Sequence, residues 1–136
     1  RHEQANGALY LFIQDSIEWL DHAKGAIANF HIVFMIQLSF HLGFMPNIES
    51  GMSGDYFDLV DGCFAAHVPS HVHYLNKEDS MRLVSLFRLD YKTMHLYTMS
   101  RIERNRCVEV ILEYYKLHLP DFPEMKSFSV LQELFA

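Results

Sequence analysis

The stretch IANFHIVFMIQLSFHLGFMP, residues 27–46, has almost no polar side. Ile27, Phe30, Ile32, Val33, Phe34, Met35, Ile36, Leu38, Phe40 and Leu42 leave a helix here nowhere to face water, so other helices must surround it. Asn29, His31, Gln37, Ser39 and His41 interrupt the run, which makes it a buried helix and not a membrane span. Gly43 is placed to cap its end, and Pro46 prevents its resumption.

Elements to cover this centre lie on both sides of it. Upstream, Leu9, Phe12, Ile13, Ile17 and Leu20 draw one apolar stripe along a helix over Gly7 to His22. Downstream, Asn76 caps a helix with Asp79 at its third position, and Met81, Leu83, Val84, Leu86 and Phe87 form its apolar face. A short helix is predicted from Tyr91 to about Met99. Ser100 and Glu103 make a capping box, so a long helix opens at Arg101 and runs toward Leu119, with Pro120 at its end. Ser127 caps a closing helix that carries Val130, Leu131, Leu134 and Phe135.

Residues 46–75 are different in kind. Asn47, Ser50, Gly51, Ser53, Gly54, Asp61, Gly62 and Pro69 rule out a long helix. YFDLV and CFAAHV flank Asp61-Gly62, which signals two short strands joined by a tight turn. The expected fold class is all-α: one domain over residues 1–136, an orthogonal helical bundle with one irregular insertion at about 46–75.

Composition bounds the function. Half of the residues are hydrophobic, and 21% are charged, as in a globular domain able to fold on its own. Two cysteines 44 positions apart, with no signal peptide, favour a reduced, cytoplasmic setting. The first residue is Arg1, which suggests a piece of something longer or a processed chain. A net charge of −6 is the opposite of what a stand-alone nucleic-acid binder carries. The charge is polarised: Arg82, Arg88, Lys92, Arg101, Arg104 and Arg106 face only Asp90 and Glu103 within their stretch, whereas residues 47–79 hold six acids against Lys77. An anionic partner should prefer the basic stretch. Three of its arginines stand at a positive helix end, where acids would be the stabilising choice. A phosphate or an acidic segment would explain them, and so would pairing with Glu103 and Glu109.

The segment CFAAHVPSHVHYL, residues 63–75, gathers Cys63, His67, His71 and His73. These are zinc-ligand types, but structural zinc draws four ligands from paired clusters, and no second pair precedes this one. A Cys63–His67 nucleophile pair would lack a recognisable oxyanion loop. Glu109 and Glu113 lie one turn apart without the histidine that a carboxylate-bound metal would need, and no phosphate-binding glycine loop occurs.

The last third, RNRCVEVILEYYKLHLPDFPEMKSFSVLQEL, resembles the C-terminal region of the RecO family of bacterial recombination mediators. The shared features are an arginine-containing helix ending in a tyrosine and His118-Leu119, a short connector, then Lys126-Ser127 and a closing amphipathic helix. The central helix ending in Leu42-Gly43, followed by Pro46 and an insertion leading to Gly62, is also similar to that family. The resemblance implies the helical domain alone, without the N-terminal oligonucleotide-binding barrel that carries much of the family's DNA affinity. It implies DNA repair without catalytic residues: remodelling of single-strand DNA-binding protein, strand annealing, and recombinase loading with the partners RecR and RecF, on the nucleoid and away from any membrane. Many members hold zinc in the insertion with two cysteine pairs. Here Ser50 to Ser53 stand near the first pair and Cys63 is the insertion's only cysteine, so zinc is not expected.

The leading expectation is that the acidic, apolar-ended tail of single-strand DNA-binding protein binds an apolar groove rimmed by basic residues, the candidates being Arg82, Arg88, Lys92, Arg101, Arg104 and Arg106, with the sequence leaving open which of them share a face. The rivals are a metal-dependent enzyme centred on Cys63, His67, His71 and His73, and a structural dimerisation module.

Overall fold

The computed structural model describes residues 2–25, 27–49 and 55–120, with side chains from Gly7 onward. Its elements in chain order are α1 (His2–His22), α2 (Phe30–Leu42), β1 (Tyr56–Asp58), β2 (Cys63–Ala65), β3 (Tyr74–Leu75), α3 (Lys77–Phe87), a 3-10 turn (Met94–Leu96) and α4 (Arg101–His118). The closing helix expected at 127–135 lies outside the described residues.

The centre is α2, as its sequence requires. Phe30, Ile32, Val33, Phe34, Met35 and Ile36 are all buried. They form one cluster with Leu86, Met94, Met99, Cys107, Val108, Ile111, Leu112 and Tyr115, roofed by Phe12, Ile13, Trp19 and Leu20 of α1. Aromatic rings fasten α1 to this core: Phe12 stacks on Phe34 at 5.3 Å, and Tyr91 stacks on both Trp19 and Phe30 at 5.1 and 5.0 Å. Tyr115 donates its hydroxyl to the Met35 carbonyl at 2.6 Å, tying α4 to α2 in the dry interior. Burial pushes the Tyr115 phenol well above its ordinary pKa, so it remains a donor at any physiological pH. Gly43 ends α2 at φ 90°, in the left-handed region that glycine adopts without steric cost, and Phe44 N–H returns to the Ser39 carbonyl.

The insertion is a three-stranded antiparallel sheet of order β2-β1-β3. The expected hairpin is present, with Phe57 opposite Phe64 and Asp58 opposite Cys63, but β3 pairs on the other edge of β1 and had not been expected. The fold is mainly helical with an insertion, as expected, and the insertion holds a small sheet of three strands where two were read. The cause is backbone satisfaction, since β1 is buried and both of its edges need partners. The turn is also built differently from a bare Asp-Gly pair. Asp58 accepts the Val60 and Asp61 amides, and Gly62 takes the positive φ of 71° where a Cβ would lie 3.1 Å from the Tyr114 hydroxyl. A second cluster, Phe57, Leu59, Leu75, Leu83, Val110 and Tyr114, joins the sheet to α3 and α4. Buried Ser80 of α3 accepts the Phe57 amide and donates to the Leu75 carbonyl, bridging two strands.

Both helix caps read from the sequence are formed. Asn76 Oδ1 accepts the Asp79 amide at 2.8 Å, and Ser100 and Glu103 exchange both bonds of a capping box. Two boundaries differ. The first helix starts at His2, because one glycine at position 7 costs only about 1 kcal/mol within a helix. No α-helix forms over 91–99 beyond the 3-10 turn. Asp90 accepts the Lys92 and Thr93 amides in a tight turn, and buried Asn29 donates to the carbonyls of Met94 and Tyr97, both at 2.9 Å.

Asn29→Ala should therefore destabilise the domain by about 2–3 kcal/mol, since two carbonyls lose their donor in a closed interior, and Tyr115→Phe by about 1 kcal/mol. Urea unfolding followed by circular dichroism measures both, and Asn29→Ala should be the costlier.

Candidate partner-binding groove

Helices α3 and α4 meet along a shallow groove lined by Asp79, Arg82, Leu83, Leu86, Arg106, Cys107 and Val110. The floor is apolar because Leu83, Leu86, Cys107 and Val110 point into the two clusters that α4 joins. The rim is charged. Arg82 Nη2 donates to Glu103 Oε2 at 3.3 Å, and Arg106 donates to Asp79 Oδ2 through Nε and Nη2, both at 3.2 Å. Arg106 also approaches Glu109 at 3.8 Å. Two rungs of opposite charge thus cross the groove. They are unequally screened: the side chains of Arg82 and Asp79 are 20% and 17% exposed, those of Glu103 and Arg106 about half exposed.

Helical geometry explains the sorting of the basic residues. Successive side chains turn by about 100° around a helix, so neighbours in sequence face different elements. Arg82 and Arg106 come together on the groove. Arg104 turns to the other side of α4, where it donates to Asn29 Oδ1 at 3.5 Å and to the Met99 carbonyl at 3.3 Å. Arg88, Lys92 and Arg101 are exposed, and among the described residues none of them holds an ion pair. The pairing anticipated for Glu103 and Glu109 occurs, with Arg82 and Arg106 respectively. Asp79 completes the rim and was not named as a site residue. Its place follows from the α3–α4 contact, which no local pattern reveals.

Burial pushes the thiol pKa of Cys107, at the base of the groove, up to about 11. The Ser100 backbone N–H that it accepts, and then the Arg82 guanidinium, hold the Glu103 carboxyl below its ordinary value. A carboxylate of lowered pKa contributes stability at neutral pH that is lost as the pH falls through that pKa.

The insertion's histidines go separate ways. His71 Nδ1 accepts the His73 amide at 3.0 Å, so its Nε2 carries the proton and donates to the buried Asp58 carboxylate at 3.0 Å. His73 Nδ1 pairs with Glu113 of α4 at 2.9 Å. His67 is exposed and Cys63 sits half-buried in β2. Among the described residues no three His, Cys, Asp or Glu side chains gather in a way that could hold a metal ion. Of the four, His71 is engaged with the Asp58 carboxylate and the His73 amide, and His73 with the Glu113 carboxylate.

Comparison with known proteins agrees with this architecture. Residues 1–127 match the family model described as recombination protein O, C terminal. The chain is 46% identical over 136 residues to the DNA repair protein RecO of Phocaeicola vulgatus, covering all of this chain and 56% of that protein. It is 48% identical to the RecO of Bacteroides fragilis and 34% to that of Porphyromonas gingivalis, each covering 99% of this chain and 56% of the relative. The chain belongs to the RecO C-terminal family, a family of DNA repair and recombination proteins. It spans somewhat more than half the length of these curated relatives. No solved structure matches it. Among the described residues no helix is long and apolar enough to cross a membrane.

Glu103→Gln keeps the capping box, which accepts Glu or Gln, but removes the titrating charge. Its melting temperature should therefore fall less than that of the wild type between about pH 5 and pH 3, across the carboxylate range. Calorimetry at matched ionic strength reads the difference.

Proposed function

We propose that this chain is a helical protein-interaction domain of a recombination mediator, and that its α3–α4 groove docks the acidic, apolar-ended tail of single-strand DNA-binding protein. One observation carries the reading: Arg82 and Arg106 line, with Asp79, a groove whose apolar residues Leu83, Leu86, Cys107 and Val110 lie beneath them, 2–5% exposed. An acidic peptide with an apolar terminus needs both parts, cations for its carboxylates and a non-polar surface for its end. Membership of the RecO C-terminal family supports a role in DNA repair. The net charge of −6 argues that DNA is not this domain's main ligand. In this reading the domain contributes no catalytic residue, and its docking step serves strand annealing and recombinase loading with RecR and RecF. Arg88, Lys92 and Arg101, exposed and holding no ion pair among the described residues, supply longer-range attraction toward the acidic tail.

A fluorescein-labelled peptide of acidic residues ending in an apolar residue tests this by anisotropy. Arg106→Ala should weaken binding by about tenfold, as expected for a lost charged hydrogen bond. Lys24→Ala, in the connection after α1, should leave it unchanged. A peptide whose terminal apolar residue is replaced by serine should also bind more weakly. Equal affinity for all three proteins and both peptides would remove the groove from the account.

A further inference from the structure

We infer that the groove is gated by the domain's own carboxylates: Glu103 and Asp79 occupy Arg82 and Arg106 as an acidic partner would, and docking exchanges these internal pairs for the partner's. The inference rests on the docking reading above and adds its regulation. The geometry sets up a competition for the two arginines. Both groove arginines are already engaged, Arg82 with Glu103 at 3.3 Å and Arg106 with Asp79 at 3.2 Å. An incoming carboxylate thus finds both rim arginines already shared with the domain's own carboxylates and must compete with them.

The two rungs are not equivalent. Glu103 is anchored twice, since Oε1 accepts the Ser100 amide at 2.9 Å while Oε2 holds Arg82. Releasing Arg82 therefore leaves Glu103 fixed by its cap, and the arginine is the moving part. Arg106 has a second carboxylate in reach, Glu109 at 3.8 Å, so neutralising Asp79 only partly frees it. Two physical consequences follow. Neutralising Glu103 should tighten docking more than neutralising Asp79. Docking to the wild type, which trades one set of ion pairs for another, should depend weakly on salt, whereas docking to a neutralised groove makes new pairs and should depend on it more steeply.

The experiment is anisotropy titration of the same labelled acidic peptide against the wild-type chain, Glu103→Gln and Asp79→Asn at several salt concentrations, with folding checked by circular dichroism. Glu103→Gln retains the cap hydrogen bond and is the decisive variant. The gate predicts about two- to fivefold tighter binding for Glu103→Gln, a smaller gain for Asp79→Asn, and a steeper salt slope for both, in keeping with the modest strength of part-exposed pairs. Binding by Glu103→Gln where the wild type shows none would support the gate equally. Unchanged or weaker binding by Glu103→Gln, with the wild type's salt slope, would overturn the gate and leave the docking reading standing. No binding by any of the three proteins would overturn both.

Discussion

An α-helix without a polar side has to be enclosed, and the other elements are arranged to enclose α2. Its six consecutive or near-consecutive buried residues from Phe30 to Ile36 leave α1, α4 and the segment around Met94 no alternative but to pack on it. Inside, Ser39 donates to the Ile36 carbonyl at 2.6 Å, and Asn29 spends its amide on the distant carbonyls of Met94 and Tyr97. Enclosure alone would tolerate many packings. The Tyr115 bond to the Met35 carbonyl and the Asn29 bonds select one, because each is directional and each would leave buried polar atoms unmatched in another register.

The groove follows from how α4 shares itself between two cores. Cys107, Val108, Ile111, Leu112 and Tyr115 face the helices, while Val110 and Tyr114 face the sheet. Two adjacent faces of one helix are thereby used up, and α3 lies along the seam between them. The remaining strip of α4 carries Glu103, Arg106 and Glu109, opposite Arg82 and Asp79 of α3. Apolar residues beneath and charges at the edge are what such a seam produces. That arrangement makes it suited to an acidic ligand with an apolar end.

Much of this was legible in the sequence where the physics is local. The caps at Asn76 and Ser100, the glycine end of α2, and the hairpin around Asp61-Gly62 are short-range hydrogen-bond patterns, and each formed where it was read. What failed depended on distant partners. The helix expected over 91–99 lost its carbonyls to Asn29, more than sixty residues away. The strand β3 has no strong pattern of its own and exists because β1 needs a second neighbour. The basic stretch left open which of its residues share a face, and the turn of α4 decides it, sending Arg104 toward Asn29 and Arg106 toward Asp79. His73 found its partner in Glu113, forty residues downstream, a pairing that no spacing rule predicts.

The claim that ties fold to function is that the α3–α4 seam is the docking surface. The most direct measurement is the amide nitrogen–proton spectrum of the labelled chain during titration with the acidic peptide. The account predicts that the largest shift changes cluster at Asp79 to Leu86 and Glu103 to Val110, while Tyr10 to Leu20 of α1 and the β1–β2 hairpin stay in place. Changes concentrated on the insertion or on α1, with the seam unmoved, would contradict it.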